Sequence, residues 1–166
     1  LVWQWIYARD AGLLNYVLGW FGVKPINWLG SQLALLSVVI VNVWGAIGEG
    51  MIIFLAGLRE IPRELYDAAR IDGASPVRQF FDLTLPLLKP TSFFVLLTTT
   101  VTAVAGQQGF DLVYVMTKGG PANSTSLVIF YIYQQAFQFN HYGYAAAMAS
   151  FLVVVLIVLT AILFVA

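Results

Sequence analysis

The sequence has 166 residues, of which 60% are hydrophobic and only 10% are charged, with eight basic side chains balancing eight acidic ones. Soluble domains carry about 25% charged residues, so this composition excludes an ordinary water-soluble fold and indicates a membrane protein. The zero net charge provides no electrostatic attraction for nucleic acid. Because cysteine is absent and histidine occurs once, disulfides and cysteine nucleophiles are excluded, and we expect no catalytic residue and no metal site.

The first 28 residues mix tryptophan and tyrosine with glycine, asparagine and lysine. Such a mixture is typical of the belt where amphipathic rings lie between water and lipid, and packing of the rings in a core is the alternative. The sequence starts at Leu1 without an initiator methionine or the pattern of a signal peptide. We therefore expect a fragment that lacks N-terminal membrane spans.

Three stretches of 24, 21 and 48 residues contain no Asp, Glu, Lys or Arg. A helix that crosses a bilayer needs about 20 mostly apolar residues, so each stretch can hold one span. We predict spans at about residues 29–58, 90–116 and 143–166. The loop 59–89 carries five of the eight basic residues and is predicted to be cytoplasmic, which makes 117–142 an external loop.

Within the cytoplasmic loop, local signals predict a helix of about ten residues. Pro62 suits a first helical turn, and Gly73 suits the left-handed residue that follows a helix end. One face of this helix has small side chains in its middle, which would allow another backbone to approach closely. The residues of that face are Leu65, Ala68, Ala69 and Asp72.

The flank of this helix and the residues after it carry further signals. Asp67 lies within helical reach of Arg63 and Arg70, and each such ion pair is worth about 0.2 to 0.5 kcal/mol. After the helix, Ser75 is suited to an N-cap and Pro76 to the first position of a second short helix. A loop that merely connects two membrane helices is the alternative interpretation.

The loop resembles the cytoplasmic motif found in the membrane subunits of binding-protein-dependent ATP-binding-cassette importers. That motif reads EAA, three residues, G, nine residues, I, any residue, LP. The present sequence has Asp in place of Glu and Leu in place of Ile, so acidity and apolar bulk are retained. The residues that carry the motif are Asp67, Ala68, Ala69, Gly73, Leu83, Leu85 and Pro86.

Three longer segments extend the resemblance to about residues 12–166: IPRELYDAARIDGAS, FDLVYVMTKGGPANSTS and HYGYAAAMAS. They are similar to the carbohydrate-uptake branch, specifically the permeases of maltose and glycerol-3-phosphate importers. The resemblance implies an all-α integral membrane protein, a multi-span helical bundle with a cytoplasmic coupling helix. Residues 1–166 would form the C-terminal core of one transmembrane domain in a bacterial or archaeal inner membrane.

The resemblance also implies a function and a set of partners. The protein would be a non-catalytic permease subunit that receives a sugar or polyol from an external substrate-binding protein and works beside a second, non-identical permease. No GxxxxGK[ST] loop is present, so ATP with Mg²⁺ is expected on separate cytoplasmic ATPase subunits, and no cofactor in this chain. The residues expected to dock on the ATPase are Leu65, Asp67, Ala68, Ala69, Asp72, Gly73 and Ala74.

Polar residues inside the predicted spans indicate a path for a solute. Glu49 should not face lipid, because an ionisable group at the bilayer centre costs about 2.5 to 3.5 kcal/mol. Amide and carboxylate groups separated by glycine suit a hydroxyl-rich solute, and aromatic rings suit the face of a sugar. In similar sugar permeases the corresponding helices line the cavity. The residues expected to contact substrate are Gly48, Glu49, Gln107, Gln108, Phe110, Asp111 and Tyr114.

Other interpretations of these polar residues remain open. Glu49 could pair with a polar group on an adjacent helix, and the threonines at 98–102 are expected to bond to their own helix backbone. A proton-coupled secondary carrier that uses Glu49 and Asp111 is the alternative function. An intramembrane hydrolase is a third class, but a single histidine, His141, is a poor start for one. Neither alternative explains the cytoplasmic motif.

Overall fold

The computed structural model describes residues 2–165, and within them every regular element is helical. This confirms the predicted all-α class. Two π-helical turns interrupt the α-helices, at Phe80–Thr84 and Gln134–Gln138. The α-helices in chain order are α1 Val2–Ile6, α2 Leu13–Gly19, α3 Ala34–Glu60, α4 Arg63–Ile71, α5 Pro76–Gln79, α6 Leu85–Leu87, α7 Lys89–Ala105, α8 Gln107–Met116, α9 Val128–Tyr133 and α10 Tyr142–Val165.

Two of these helices, α3 and α10, are long and apolar enough to cross a membrane, and they fall on the first and third predicted spans. A third candidate is the bent pair formed by residues 76–87 and α7, whose axes differ by 60°. The predicted span 90–116 is not one continuous helix. Its break lies at Gly106, where the backbone is left-handed with φ +69°, and α8 starts at the next residue.

The chain forms two compact units. The first comprises the residues up to Trp44 together with those from Val101 onward, and the second comprises Gly45–Thr100. Helices α3 and α7 contribute residues to both units. The predicted cytoplasmic loop lies entirely in the second unit. The turn at Gly119, Gly120 and Pro121, called the GGP turn from here on, lies entirely in the first.

Aromatic packing fills part of the first unit. Tyr7 is buried with Val41 and Met116, and Trp3 and Trp28 pack against this cluster. Core packing, the alternative to a membrane-interface belt, therefore describes Trp3 and Trp28. Trp5 and Trp20 are exposed, as expected of rings at a membrane interface.

The amide of Asn15 holds the loop between α2 and α3. Its nitrogen donates to the carbonyl oxygens of Arg9, at 2.9 Å, and Ile26, at 2.8 Å. Its oxygen accepts from the Ile26 amide at 3.1 Å and from the Trp28 indole at 3.0 Å. Because Asn15 is buried, each of these bonds replaces water that the side chain has lost.

Candidate functional site

Helix α4 is the predicted coupling helix, and its end is built as the sequence predicts. Gly73 is left-handed with φ +77°. Its amide donates to the Arg70 carbonyl at 3.0 Å, and the Ala74 amide donates to the Ala69 carbonyl at 2.9 Å. This pair of bonds is a Schellman motif, which satisfies the last carbonyls and turns the chain sharply. The predicted stop at Gly73 is thereby confirmed.

The start of α4 differs slightly from the prediction. Pro62 stands just before the helix in an extended conformation, with φ −60° and ψ 135°, and does not belong to its first turn. Its carbonyl accepts the amide of Leu65 at 3.3 Å. The fixed φ of proline suits both positions, and here the ψ angle places the residue outside the helix.

A cleft of about 390 Å³ opens between α4 and the segment that follows it. Ala68 and Ala69 form a small-residue stretch of its wall, as the pattern of the sequence predicts. Five of the seven residues predicted to dock on an ATPase line this cleft. They are Leu65, Ala68, Ala69, Asp72 and Ala74.

Sequence reasoning missed Ile71, the last residue of α4. Its side chain is 88% exposed, although the helix around it is polar. Burying this side chain in a partner surface would release about 1.5 to 3 kcal/mol. The signal in the sequence was a lone isoleucine between Arg70 and Asp72, off the small-residue face.

One of the two predicted ion pairs on α4 forms. Arg70 contacts Asp67 with 3.0 Å between Nη1 and Oδ1, whereas no described contact joins Arg63 to Asp67. A second pair joins Arg78 to Asp82 at 3.1 Å. The paired side chains are more than 60% exposed, so their effect on stability is small.

The second short helix begins as predicted, with the Ser75 hydroxyl accepting the Arg78 amide at 3.3 Å and Pro76 at the first position. It is only four residues long, because the π-helical turn Phe80–Thr84 follows directly. In place of one second helix, the structure has α5, this π-helical turn and α6 in direct succession.

The predicted cytoplasmic loop 59–89, called the coupling loop from here on, is flanked by a close contact between α3 and α7. A Cβ atom built on Gly57 would lie 2.5 Å from Thr91 Oγ1 and 2.9 Å from its Cγ2, so only glycine permits this approach. Gly57 stands three residues before the end of α3 and Thr91 two residues after the start of α7. The two helices therefore touch at the base of the loop through this residue pair.

The segment predicted to contact substrate from α8 has both exposed and packed members. Gln108 and Asp111 are exposed. Phe110 stacks on Tyr114 with ring centroids 5.7 Å apart, and both rings meet the edge or face of Tyr133 at 5.3 and 5.7 Å. The flat faces expected to receive a sugar therefore partly cover each other. The side chain of Gln107 lies outside the described part of the structure.

Glu49 and Gly48 lie on α3 in the second unit, so they belong to a different unit from α8. Glu49 is exposed, and no polar partner for it is found within residues 2–165. Cβ atoms built on Gly45, Gly48 and Gly50 would meet nothing within 4 Å in the same range. This stretch of α3 is an open surface, and its role in binding substrate stays a prediction.

Two of the threonines at 98–102 bond as predicted. Thr98 donates to the Phe94 carbonyl at 2.9 Å, and Thr99 donates to the Val95 carbonyl at 2.6 Å. Both hydroxyls therefore bond to their own helix, which is the expected pattern for threonine inside a helix.

The predicted GGP turn is present and closely packed. Gly119 has φ +81°, and a Cβ on it would lie 2.6 Å from a ring carbon of Phe130. Thr125 is buried, and its hydroxyl lies 2.7 Å from that of Thr117 and donates to the Gly120 carbonyl at 3.0 Å. The turn is stabilised from within the first unit.

His141 is hydrogen-bonded. Its Nδ1 atom lies 3.0 Å from Gln135 Oε1, and its backbone amide donates to the Gln135 carbonyl at 2.8 Å. Both the ring and the backbone amide of His141 are thus bonded to Gln135.

Comparison with known proteins places the chain in a family. Residues 4–166 match the family described as binding-protein-dependent transport system inner membrane component. The chain is 39% identical over 90% of its length to the sulfoquinovosyl glycerol transport system permease protein SmoG of Agrobacterium fabrum, covering 48% of it. It is also 39% identical over 85% of its length to the trehalose/maltose transport system permease protein MalF of Thermococcus litoralis, covering 45% of it.

A third relative is the sn-glycerol-3-phosphate transport system permease protein UgpA of Pectobacterium atrosepticum, 37% identical over 99% of this chain and 55% of that protein. The chain thus spans about half the length of the relatives it matches.

Solved structures show the same fold. A chain of a bacterial alginate ABC transporter, crystallised in complex with alginate pentasaccharide-bound periplasmic protein, superposes with a TM-score of 0.86 at 24% identity, covering 98% of this chain and 56% of that one. A second structure of an alginate-importing bacterial ABC transporter gives a TM-score of 0.78 at 22% identity over the same shares of both chains. With the family match over nearly its whole length, the chain belongs to the inner membrane components of binding-protein-dependent transport systems.

Proposed function

We propose that this chain is part of the permease subunit of an ATP-driven importer that moves a sugar or polyol inward from an external substrate-binding protein. The observation that carries the proposal is the geometry of α4, a short helix with exposed small residues that is stopped by a left-handed Gly73. The relatives, named as permeases of sulfoquinovosyl glycerol and trehalose/maltose transport systems, support the substrate class.

The coupling helix would dock on a cytoplasmic ATPase subunit. Ala68 and Ala69 permit close approach of a partner surface, and Ile71 supplies an apolar side chain to bury in it. Asp67, although paired with Arg70, stays 65% exposed and is free to accept a further hydrogen bond. The Schellman motif at Gly73 fixes the angle at which the helix is presented.

Energy would enter through the partner. The ATPase subunits would bind ATP with Mg²⁺ and hydrolyse it, since the sequence offers no phosphate-binding loop. Their closure would draw the coupling helices of this permease and a second, non-identical permease together. That movement would open the substrate path outward, and hydrolysis would return it to the inward-facing state in a multi-pass protein of the inner membrane.

The solute path would use the polar residues of α8 and α3. Gln108 donates and accepts hydrogen bonds, and Asp111 accepts from two hydroxyls at once, which suits a polyol. Gly48 and Glu49 would present a thin, polar stretch of α3. The sequence has no Lys or Arg in the predicted spans, which favours a neutral solute over a phosphate-bearing one.

The proposal is tested with the full-length protein purified together with its associated subunits. We expect an ATPase subunit to co-purify, and a sugar-loaded binding protein to stimulate ATP hydrolysis. Ile71→Ser should weaken ATPase binding about tenfold to a hundredfold, because a buried isoleucine contributes 1.5 to 3 kcal/mol. Val77→Ser, in the same loop and 67% exposed but outside α4, is the matched control.

If no ATPase associates with the wild type and the protein instead moves solute with a proton gradient, the proposal fails and the carrier based on Glu49 and Asp111 takes its place. Equal loss of binding in the Ile71 and Val77 variants would leave the importer proposal standing and remove α4 as the particular docking element.

A further inference from the structure

A chain of hydrogen bonds crosses the inside of the coupling loop. The Tyr66 hydroxyl, on α4, lies 2.8 Å from Thr84 Oγ1. The Thr84 hydroxyl lies 3.4 Å from the Gln79 carbonyl oxygen, and Gln79 Nε2 donates to the Ala74 carbonyl at 2.9 Å. This series of hydrogen bonds runs from Tyr66 on α4 through Thr84 and Gln79 to Ala74, the residue just after Gly73.

The bond between the Tyr66 and Thr84 hydroxyls is the short one, at 2.8 Å, and either hydroxyl can be its donor. The Gln79 carbonyl oxygen only accepts, and its 3.4 Å separation from Thr84 makes that contact the weaker of the two. Thr84 and Gln79 are 7% and 8% exposed, so neither can readily exchange a lost partner for water.

Thr84 also connects this chain of bonds to the next long helix. Its carbonyl accepts the amide of Leu88 at 3.0 Å, and Leu88 is the buried residue directly before α7. Two residues into α7, Thr91 packs on Gly57 of α3. The side chains of Tyr66 and Thr84 therefore connect α4 to the residues at the start of α7, in addition to the backbone.

We propose that Tyr66 and Thr84 are positioning residues of transport, whose hydrogen bond makes α7 follow the movement of the coupling helix. The inference rests on the proposed function, because it assumes that α4 is moved by an ATPase. It assigns a role to two residues outside the seven predicted to dock. Tyr66 acts through Thr84 and need not touch the ATPase or the solute.

The test compares four single variants of the full-length importer in proteoliposomes, Tyr66→Phe, Thr84→Val, Thr84→Ser and Tyr16→Phe, together with the double variant Tyr66→Phe, Thr84→Val. Two quantities are measured, the amount of ATPase subunit that co-purifies and the sugar transported per ATP hydrolysed. Tyr16→Phe is the matched control, since Tyr16 is exposed and its ring meets Trp20 in an edge-to-face contact. Thr84→Ser keeps the hydroxyl.

We expect Tyr66→Phe to lower the sugar transported per ATP by about threefold to tenfold, the effect of one lost hydrogen bond, with ATPase co-purification unchanged. Thr84→Val, which also removes the contact with the Gln79 carbonyl, should lower it at least as much. Thr84→Ser and Tyr16→Phe should match the wild type. The double variant Tyr66→Phe, Thr84→Val should be no worse than Thr84→Val alone, because the two residues share one bond.

Wild-type stoichiometry in Tyr66→Phe would overturn the proposal while leaving the proposed function intact. Parallel loss of ATPase binding and transport would also overturn it, because that result assigns Tyr66 to docking or folding. If Tyr66→Phe fails to fold, Thr84→Val and Thr84→Ser carry the test with the tyrosine ring in place. Failure of the wild type to couple ATP hydrolysis to transport would instead refute the proposed function.

Discussion

The coupling loop and the GGP turn both connect helices, yet they place their polar groups in opposite ways. In the coupling loop the charged side chains and most of the small-residue face of α4 are exposed, with Ala69 half-buried, and a short series of hydrogen bonds braces the interior. In the turn Thr125 is buried and Gly119 lies against the ring of Phe130. The loop presents a surface outward, whereas the turn is packed against its own unit.

This difference teaches where a substitution should act. Changes on the exposed face of the loop should alter the interaction with a partner and leave stability nearly unchanged. Changes in the turn should lower stability first. Glycine provides the sharpest contrast, because Gly73 and Gly119 share a left-handed backbone but only Gly119 has a neighbour that a Cβ atom would strike.

The largest effect is expected for Gly73→Pro. Proline fixes φ near −65°, far from the observed +77°, and removes the amide that bonds to Arg70. Coupling of ATP hydrolysis to transport should be lost, measured as sugar-dependent ATPase activity of the assembled importer. Gly73→Asn is the control, since asparagine tolerates a left-handed backbone. Equal loss of coupling in both variants would contradict the role assigned to the backbone angle.

Gly119→Ala should destabilise the protein through two terms. The left-handed backbone costs about 1 to 2 kcal/mol with a Cβ atom, and overpacking against Phe130 costs about 1 to 3 kcal/mol more. The measurement is the thermal unfolding midpoint in detergent. Gly120→Ala is the matched control, because its Cβ would lie 3.3 Å from the Thr117 carbonyl, a contact that a small shift relieves. Similar midpoints for the two variants would disprove the packing argument.

Gly57→Ala should have an intermediate effect at the base of the coupling loop. The new methyl group would meet Thr91 and force α3 and α7 apart, at a cost of about 1 to 3 kcal/mol. Thr91→Ala should rescue it in part, because it removes the atoms at 2.5 and 2.9 Å and leaves only Cβ at 3.1 Å. The free energies of unfolding of the single and double variants measure this coupling. Strictly additive changes in that free energy would show that Gly57 and Thr91 are not in close contact.

The smallest effect is expected for Asp67→Asn. Its exposed pair with Arg70 is worth only about 0.2 to 0.5 kcal/mol, so stability should hardly change. ATPase binding should nevertheless weaken, since Asp67 lies on the coupling helix. Asp82→Asn breaks the comparable pair with Arg78 and serves as the control. A weaker ATPase affinity in the control than in Asp67→Asn would argue against the docking role.

The coupling loop could be predicted largely from sequence because its signals are local. The left-handed stop at Gly73 and the cap at Ser75 each depend on residues within a few positions. The threonine bonds of α7 are local as well. A helix of nine residues with strong end signals therefore needs little tertiary context.

The missed features depend on distant contacts. The break at Gly106 is packed against Ile129, and the stacking of Phe110 and Tyr114 involves Tyr133, about twenty residues later. Charge spacing favours both pairs on α4 equally, and only the folded structure decides that Asp67 bonds to Arg70. The exposure of Ile71 likewise depends on the tertiary structure, because sequence alone does not say whether another element covers this side chain.

Asn15 has a consequence for how the N-terminal segment closes. Its one amide group joins residues 9, 26 and 28, using both donor and acceptor atoms. Aspartate has nearly the same shape but would bring a carboxylate oxygen against two carbonyl oxygens, so shape alone cannot replace it. Breaking one of these hydrogen bonds of Asn15 would expose the remaining ones to solvent. The segment should therefore open in an all-or-none manner. The Ile26 amide proton, whose one hydrogen bond within residues 2–165 is to that side chain, would report each opening through its rate of exchange with deuterium.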